Sequence, residues 1–180
     1  MIQNITEQAS RYDRLEKMPV RELLENINRE DHTVPQAVKP CIPDIEKLVE
    51  GIVPRMKEGG RLFYIGAGTS GRLGILDASE IPPTFGAPYD LVIGLIAGGD
   101  TAIRRAVEQA EDSMEEGWEE LLSYHIGVND VLVGIAASGT TPYVIGALRN
   151  ARRHGLLTAC ITCNPGSPVT NEAEIPIVAV

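Results

Sequence analysis

The sequence predicts a doubly wound α/β protein in which helices flank a five-stranded parallel sheet. Short apolar runs recur along the chain, and segments with helical spacing of apolar residues separate them. Hydrophobicity within each run is continuous rather than alternating, which is typical of strands that are covered on both faces. Alternation of strand and helix implies right-handed βαβ units. The five predicted strands are residues 61–65, 91–96, 131–136, 157–162 and 175–180.

Helices are predicted between and before these strands. Four of them occupy residues 70–79, 101–110, 113–122 and 142–154, and Asp100 is the expected N-cap of the second. Helical spacing within residues 10–15 and 20–27 predicts a helical N-terminal arm, residues 1–43. A further helix starts at Pro43, with acids in its first turn, and ends at Gly59 and Gly60. We therefore divide the chain into this arm and one domain, residues 44–180.

Charge and hydropathy exclude several classes of function. The chain has 180 residues, a hydrophobic content of 43% and a net charge of −9. That acidity argues against nucleic acid, whose binding depends on Lys and Arg that neutralise phosphates. No apolar run is long enough to span a membrane, and the N-terminus does not resemble a signal peptide, so we expect a cytoplasmic protein. Much of the charge lies in a run that we interpret as a solvated helical face: Glu108, Glu111, Asp112, Glu115, Glu116, Glu119 and Glu120.

The cysteines and histidines predict neither a disulfide framework nor a metal site. Cys160 and Cys163 form a C-x-x-C, but it lies in an apolar strand, where residues three apart point to opposite faces. A zinc site would also need two more ligands nearby. The three histidines are scattered and have no metal-ligand spacing, so we expect no metal.

Two loops rich in Gly, Ser and Thr each follow a predicted strand and precede a predicted helix. The first loop is residues 66–71 and the second loop is residues 138–142. Glycines let the backbone approach an anion, and a helix N-terminus offers free N–H groups and the positive end of its dipole. If the strand order is 2-1-3-4-5, both loops flank the topological switch point, where open α/β sheets bind ligands. The loops therefore predict a site for a phosphate and a polyol.

A dinucleotide is an alternative ligand, because the first loop matches G-x-G-x-x-G. A Rossmann site also needs an acid about 20 residues further on, at the end of the second strand, to hold the ribose. Here that strand ends in Ala-Gly-Gly-Asp, and Asp100 is better placed as an N-cap. The lack of a P-loop lysine likewise disfavours a nucleoside triphosphate. A phosphorylated sugar is therefore the favoured ligand.

Longer stretches around the loops point to a family. YIGAGTSGRLGILDASE and VGIAASGTTPYVIGAL resemble the sugar isomerase (SIS) domain. Together with LIAGGDTAIRRAVEQAEDS and CNPGSP, they resemble the bacterial N-acetylmuramic acid 6-phosphate etherases, in the same group as the glucokinase regulatory protein. The resemblance runs from about Glu30 to the end of the chain. It implies a homodimer with active sites near the subunit interface, no metal or organic cofactor, and release of D-lactate from a phosphorylated amino sugar.

Two carboxylates match the family's catalytic positions. The resemblance implies Glu80 as the general acid towards the departing lactate and Glu111 as the base at C2 of the sugar. An elimination is physically sensible, because the C1 aldehyde of the open-chain sugar acidifies the hydrogen on C2. We expect Glu80 to lie at a helix end, stopped by Ile-Pro-Pro at 81–83, where the dipole favours a protonated carboxyl. Glu108 and Asp112 are the alternatives to Glu111.

The loops supply most of the predicted substrate contacts. Ser79 and Asn164 are expected to line the same crevice, and Arg72 is either a partner of a substrate anion or a cation on a helix surface. The predicted phosphate and hydroxyl contacts are Gly68, Thr69, Ser70, Gly71, Ser138, Gly139, Thr140 and Thr141.

Two other functions stay open at this point. An aldose–ketose isomerase would also use a glutamate base, and a sugar-phosphate sensor would use the loops without a proton donor. The pair of Glu80 and Glu111 favours the lyase. Chains of the resembling family continue through a Gly/Ser/Thr-rich segment and a helical region, whereas this sequence stops within its last predicted strand. We therefore expect the domain to be truncated at its C-terminal end.

Overall fold

Five parallel strands form one sheet in the order β2-β1-β3-β4-β5. The computed structural model describes residues 4–107 and 109–180. All five predicted strands are confirmed, with ends that differ by at most two residues, and so is the 2-1-3-4-5 order. The strands are β1 (Leu62–Gly66), β2 (Val92–Ile96), β3 (Val131–Ile135), β4 (Leu157–Thr162) and β5 (Ile175–Val178).

Helices cover both faces of this sheet. Across the described residues, none of them is both long and apolar enough to cross a membrane. Short 3₁₀ turns at Ile5–Glu7, Leu15–Lys17 and Lys39–Cys41 accompany the helices of the N-terminal arm. The helices are α1 (Val20–Asp31), α2 (Val34–Val38), α3 (Ile42–Lys57), α4 (Gly68–Phe85), α5 (Gly99–Arg104), α6 (Glu116–Leu122), α7 (Pro142–Arg153) and α8 (Pro168–Glu172).

The hydrophobic core has two halves, one on each face of the sheet. On one face, Leu48 of α3 and Ala78 of α4 belong to a buried cluster with strand residues such as Val133. On the other face, α6, α7 and α8 bury a second cluster that includes Phe63 and Leu148. Neighbouring strand residues therefore bury side chains on opposite faces. This double cover is the reason why hydrophobicity along each strand is continuous.

The helix after β1 is longer than the sequence predicts. It was expected to stop before Pro82 and Pro83, but α4 contains both prolines and ends at Phe85. The residue that ends it is Gly86, which has φ +66° and donates its N–H to the carbonyl of Pro82 at 2.9 Å. A left-handed glycine is a common helix terminator, so Gly86 rather than the prolines sets the end of α4.

Other helix boundaries were also predicted incorrectly. The helix expected at 101–110 is only α5, and Asp100 lies inside its first turn, because Gly98 with φ +86° is the N-cap. The helix expected from 113 begins at Glu116, since the Ser113 hydroxyl accepts the backbone N–H groups of Glu115 and Glu116 instead. Residues 11–13 form a bend, and residues 10 and 14 belong to no helix or strand, so the helix predicted there was wrong. The helix predicted at 142–154 is confirmed as α7.

A buried ion pair fixes the edge of the sheet at which β1 and β3 begin. Asp130 accepts hydrogen bonds from the N–H of Arg61 (2.7 Å), from the Arg61 guanidinium (3.1 and 2.8 Å) and from the N–H of Gly127 (2.8 Å). Burial alone raises the pKa of Asp130, but these hydrogen bonds and the guanidinium charge outweigh it and hold that pKa below its usual range. The pair ties together the starts of the two central strands.

We predict that Asp130→Ala lowers the free energy of unfolding by about 1–3 kcal/mol, because the partly exposed Arg61 guanidinium and the N–H groups of Arg61 and Gly127 lose their acceptor. Urea denaturation measures this loss, and Arg21→Ala, which breaks an exposed pair with Glu25, is a control that should cost at most about 0.5 kcal/mol. The stability that ionised Asp130 contributes is fully present above the pKa of an aspartate in the unfolded chain, about 3.9. It is lost as the pH falls through the lower pKa that Asp130 has in the folded protein. A loss near that of the control would contradict the prediction.

Candidate functional site

Two helix N-termini meet at the edge where β1 and β3 end. α4 begins two residues after β1, and α7 begins directly after the second loop. Their N-cap residues, Ala67 and Thr141, make no side-chain capping hydrogen bond. The first N–H groups of α4 therefore remain available to an anion, whereas in α7 Pro142 has no N–H and Tyr143 donates its own to the carbonyl of Glu111, so that α7 contributes mainly the positive end of its dipole at the switch point.

The first loop is shaped by a close approach of helix and strand. A Cβ on Gly71 would lie 2.6 Å from Cγ1 of Ile96 and 2.8 Å from the carbonyl oxygen of Gly66, so no larger residue fits there. This approach brings the start of α4 against the ends of β1 and β2. Gly68 and Thr69 are exposed at the open side of the loop, and Ser70 is half-buried.

Contacts within the second loop, and with the residues that follow β4, hold this loop in a defined shape. Gly139 has φ +71°, and a Cβ on it would lie 2.0 Å from the Ser167 hydroxyl, so the position demands glycine. The Ser138 hydroxyl accepts hydrogen bonds from the N–H (3.3 Å) and the hydroxyl (3.0 Å) of Thr140. The carbonyl of Gly139 accepts the N–H of Val169 at 3.0 Å. These contacts preform the loop before any ligand binds.

Glu111 lies between the two loops. Its backbone carbonyl accepts the N–H of Tyr143 at 3.1 Å, which ties it to the first turn of α7. Glu111 also lines a cavity of about 210 Å³ together with Gly68 and Arg72. Arg72 donates from Nε to the carbonyl of Ile103 at 3.1 Å. The structure therefore brings the candidate base to the crevice, and the other residues that line the cavity are small: Ala67, Ala97, Ala102, Ala106 and Val107.

Glu120 and Tyr143 are residues near this site that the sequence analysis missed. The Tyr143 hydroxyl donates a short hydrogen bond to the Glu120 carboxylate, which joins α6 to α7 behind Glu111. Burial raises the pKa of Glu120, Asp100 and Glu116 raise it further, and the Tyr143 hydrogen bond lowers it. The acidic run was interpreted as a solvated helical face: its other described members are exposed, but only Glu116 and Glu119 of these lie on a helix, and Glu120 is half-buried; Glu108 lies outside the described residues.

Glu80 and Ser79 lie away from the loops of their own chain. Glu80 is twelve residues after Gly68 on α4, which at 1.5 Å per residue places it about 18 Å along the helix. Ser79 lines a separate cavity with Val92, at the start of β2. Five helical residues follow Glu80, so the expectation that it sits at the negative end of a helix was wrong. Its catalytic role and the binding role of Ser79 stay predictions.

Asn164 reaches the predicted crevice but is already engaged there. Its side chain is 2% exposed and forms hydrogen bonds with Ser138 and with residues 4–6 of the N-terminal arm. These bonds leave its amide no capacity for a substrate, so they do not support direct binding. Within the described residues, no three His, Cys, Asp or Glu side chains come together as metal ligands. Burial raises the pKa of Cys160, in the C-x-x-C, to about 11.

Curated relatives of this chain are N-acetylmuramic acid 6-phosphate etherases. The protein from Bacteroides thetaiotaomicron is 66% identical over 98% of this chain and 64% of its own length. The one from Porphyromonas gingivalis is 67% identical over the whole of this chain and 66% of its own length. The one from Salmonella enteritidis is 52% identical over 92% of this chain and 56% of its own length. The chain thus spans a little under two thirds of the length of the curated relatives it matches.

Solved structures with a similar fold include two phosphoheptose isomerases. The one from Neisseria gonorrhoeae has a TM-score of 0.66 at 18% identity and covers 89% of this chain and 86% of its own. The one from Francisella tularensis has a TM-score of 0.65 at 19% identity and covers 87% of this chain and 85% of its own. At such identities the likeness concerns the fold.

A family model covers the part of the chain that contains both loops and both candidate glutamates. It is the model of the glucokinase regulatory protein N-terminal SIS domain, and it matches residues 44–152. The parallel sheet, its strand order and the two preformed loops agree with this match. The chain belongs to the family of the glucokinase regulatory protein N-terminal SIS domain.

Proposed function

We propose that this chain carries the substrate-binding and proton-transfer groups of a lyase that cleaves the lactyl ether of N-acetylmuramic acid 6-phosphate. The observation that carries the proposal is Glu111, which lines a cavity with the start of α4 and whose carbonyl accepts the N–H of Tyr143 in the first turn of α7. The names of the curated relatives support the substrate and the reaction. The products are N-acetylglucosamine 6-phosphate and D-lactate, in the recycling of cell-wall sugars in the cytoplasm.

The chemistry needs an anion site and two proton-transfer groups. A base removes the proton from C2 of the open-chain sugar, where the C1 aldehyde makes that hydrogen acidic. The bond between C3 and the ether oxygen then breaks, and an acid protonates the departing lactate. Water adds to the resulting unsaturated aldehyde, with hydroxyl at C3 and a proton returned to C2. Well-placed acid and base groups accelerate such steps by about 10²–10⁴-fold each.

The N-terminal turns of α4 and α7 would hold the sugar phosphate. Phosphate bound there keeps the substrate at the crevice, with the hydroxyls of Thr69, Ser70, Ser138, Thr140 and Thr141 as donors. Glu111, tethered to the first turn of α7, then lies within reach of the sugar and acts as the base at C2.

Glu80 would act in the crevice of a second copy of the chain. About 14 Å of helix separates it from Gly71, the last residue of the first loop, and about 18 Å separates it from Gly68, which is too far for one substrate to touch both groups. Leu73 and Leu76 are 55% and 57% exposed, and their spacing on α4 puts them on the same helix face as Glu80. An apolar stripe beside a catalytic carboxylate suits a homodimer interface, so we assign Glu80 as the acid that serves the partner's site.

Lactate release tests the proposed reaction. The chain itself, and a chimera in which it replaces the matching residues of the Porphyromonas gingivalis relative, are incubated with N-acetylmuramic acid 6-phosphate. We expect D-lactate and N-acetylglucosamine 6-phosphate in equal amounts from the chimera, and a rate about 10²–10⁴-fold lower after Glu111→Gln. A ketose product would indicate an isomerase. Tight binding without turnover would indicate a sugar-phosphate sensor, the second candidate that the family match leaves open.

Complementation between two inactive variants tests the position of Glu80. Glu80→Ala and Glu111→Ala are unfolded together and refolded as an equal mixture, so that half of the symmetric dimers are mixed. If Glu80 serves the partner's site, one site of each mixed dimer keeps both carboxylates, and about a quarter of the wild-type activity should return. Each variant refolded alone is the control. No recovery in the mixture would show that the two glutamates act within one chain.

Substitution of the loop hydroxyls tests the binding site. Ser70→Ala and Ser138→Ala should each raise the Kd of N-acetylglucosamine 6-phosphate about tenfold, because each removes one hydrogen bond to a charged or polar ligand. Isothermal titration calorimetry measures the Kd. Ser123→Ala, at an exposed serine after α6, is the matched control and should leave the Kd unchanged. Equal affinities for all variants would contradict the assignment of the loops.

A further inference from the structure

Asn164 connects two distant parts of the chain beside the second loop. Its Oδ1 accepts the backbone N–H groups of Ile5 at 2.7 Å and Thr6 at 3.3 Å. Its Nδ2 donates to the carbonyl of Ser138 at 3.0 Å, to Oδ1 of Asn4 at 2.5 Å and to Oγ1 of Thr6 at 3.1 Å. One buried side chain thus joins the second loop to the segment Asn4–Glu7, which we call the N-terminal strap.

Three of the four residues of the strap are exposed. Ile5 is half-buried, whereas Asn4, Thr6 and Glu7 are exposed, so little apolar area secures the segment. Thr6 donates its hydroxyl to Oδ1 of Asn4 at 2.7 Å, which completes a small network around the Asn164 amide. An amide has two acceptor and two donor positions, and here both kinds are occupied. Loss of the strap would remove every one of these partners of the Asn164 amide except the carbonyl of Ser138, and an amide that loses its partners is costly unless water replaces them.

The same amide supports the second loop from the side of β4. Just before the loop, the carbonyl of Ala137 accepts the N–H of Cys163 at 2.9 Å and the hydroxyl of Thr162 at 3.2 Å. Asn164 adds a hydrogen bond to the next carbonyl, that of Ser138, whose hydroxyl in turn orders Thr140. The strap therefore acts on the loop through a single side chain.

We propose that Asn164 is a positioning residue that couples the N-terminal strap to the second loop, so that the strap is part of the sugar-phosphate site. The ligand class rests on the proposed function, but the coupling itself does not. Asn164 then influences binding through the loop and the strap rather than by touching the substrate. The strap lies at the mouth of the crevice, because Asn164 follows the C-terminal end of β4.

A double-mutant cycle separates this role from direct binding. The variants are Asn164→Ala, a deletion of residues 2–8, and the two combined, and calorimetry measures the Kd of N-acetylglucosamine 6-phosphate. We expect each single change to raise the Kd about tenfold and the combination to raise it little further, because both remove the same coupling. Effects that multiply to about a hundredfold would mean independent actions, and unchanged affinity in either single variant would also overturn the proposal.

Hydrogen exchange without ligand gives a readout that does not depend on the proposed function. In peptides that contain residues 138–141, amide exchange should be faster in both single variants and no faster still in the combination. Arg21→Ala is the control with an intact strap, and thermal unfolding confirms that each variant is folded. Unaltered exchange in the two single variants would overturn the coupling. A chain that shows the coupling but binds no sugar phosphate would refute the proposed function and leave the coupling standing.

Discussion

The pairing of β1 with β3 is the constraint on which the site depends. The two strands lie in register from Leu62 opposite Val131 to Gly66 opposite Ile135, and the chain leaves them towards opposite faces of the sheet. α4 packs on the face that α3 covers, and α7 packs on the other face. Because parallel strands end at the same edge, both helix N-termini come to one crevice. The Arg61–Asp130 pair secures the other ends of the same two strands, so it supports the site from a distance.

Much of this architecture is predictable because its signals are local. A strand buried on both faces requires an unbroken apolar run. A helix that starts directly after a strand packs closely against the end of that strand, and this close approach requires small residues such as Gly71. Helix ends were less predictable, since the sequence offers competing signals whose balance depends on packing. Pro82 and Pro83 suggested a stop, but α4 packs against β1 and β2 and continues through both prolines until Gly86 ends it.

The parts of the site that could not be predicted depend on contacts between distant residues. The bonds between Asn164 and Ile5 span 159 positions, and nothing near either residue indicates them. Glu120 looks like its acidic neighbours in the sequence, and only the packing of α6 on α7 sets it against Tyr143. The position of Glu80 is a different case. Its distance from the first loop follows from helix geometry alone, because the residues between the loop and Glu80 are all helical.

The two candidate carboxylates are held in different ways, which affects how a complete site would assemble. Glu80 lies on an 18-residue helix that packs against β1 and β2, so its position is fixed relative to its own sheet. Glu111 lies in the irregular segment between α5 and α6, where the N–H of Tyr143 holds its carbonyl. In the proposed dimer, a contact between the α4 helices would bring Glu80 to the partner's crevice on a rigid helix. The segment that carries Glu111 would then be the part of the site that adjusts to the substrate. Tyr143 holds that segment through its N–H and holds the following helix, α6, through the bond of its hydroxyl to Glu120, and thereby links the proposed base to the helix that the second loop begins.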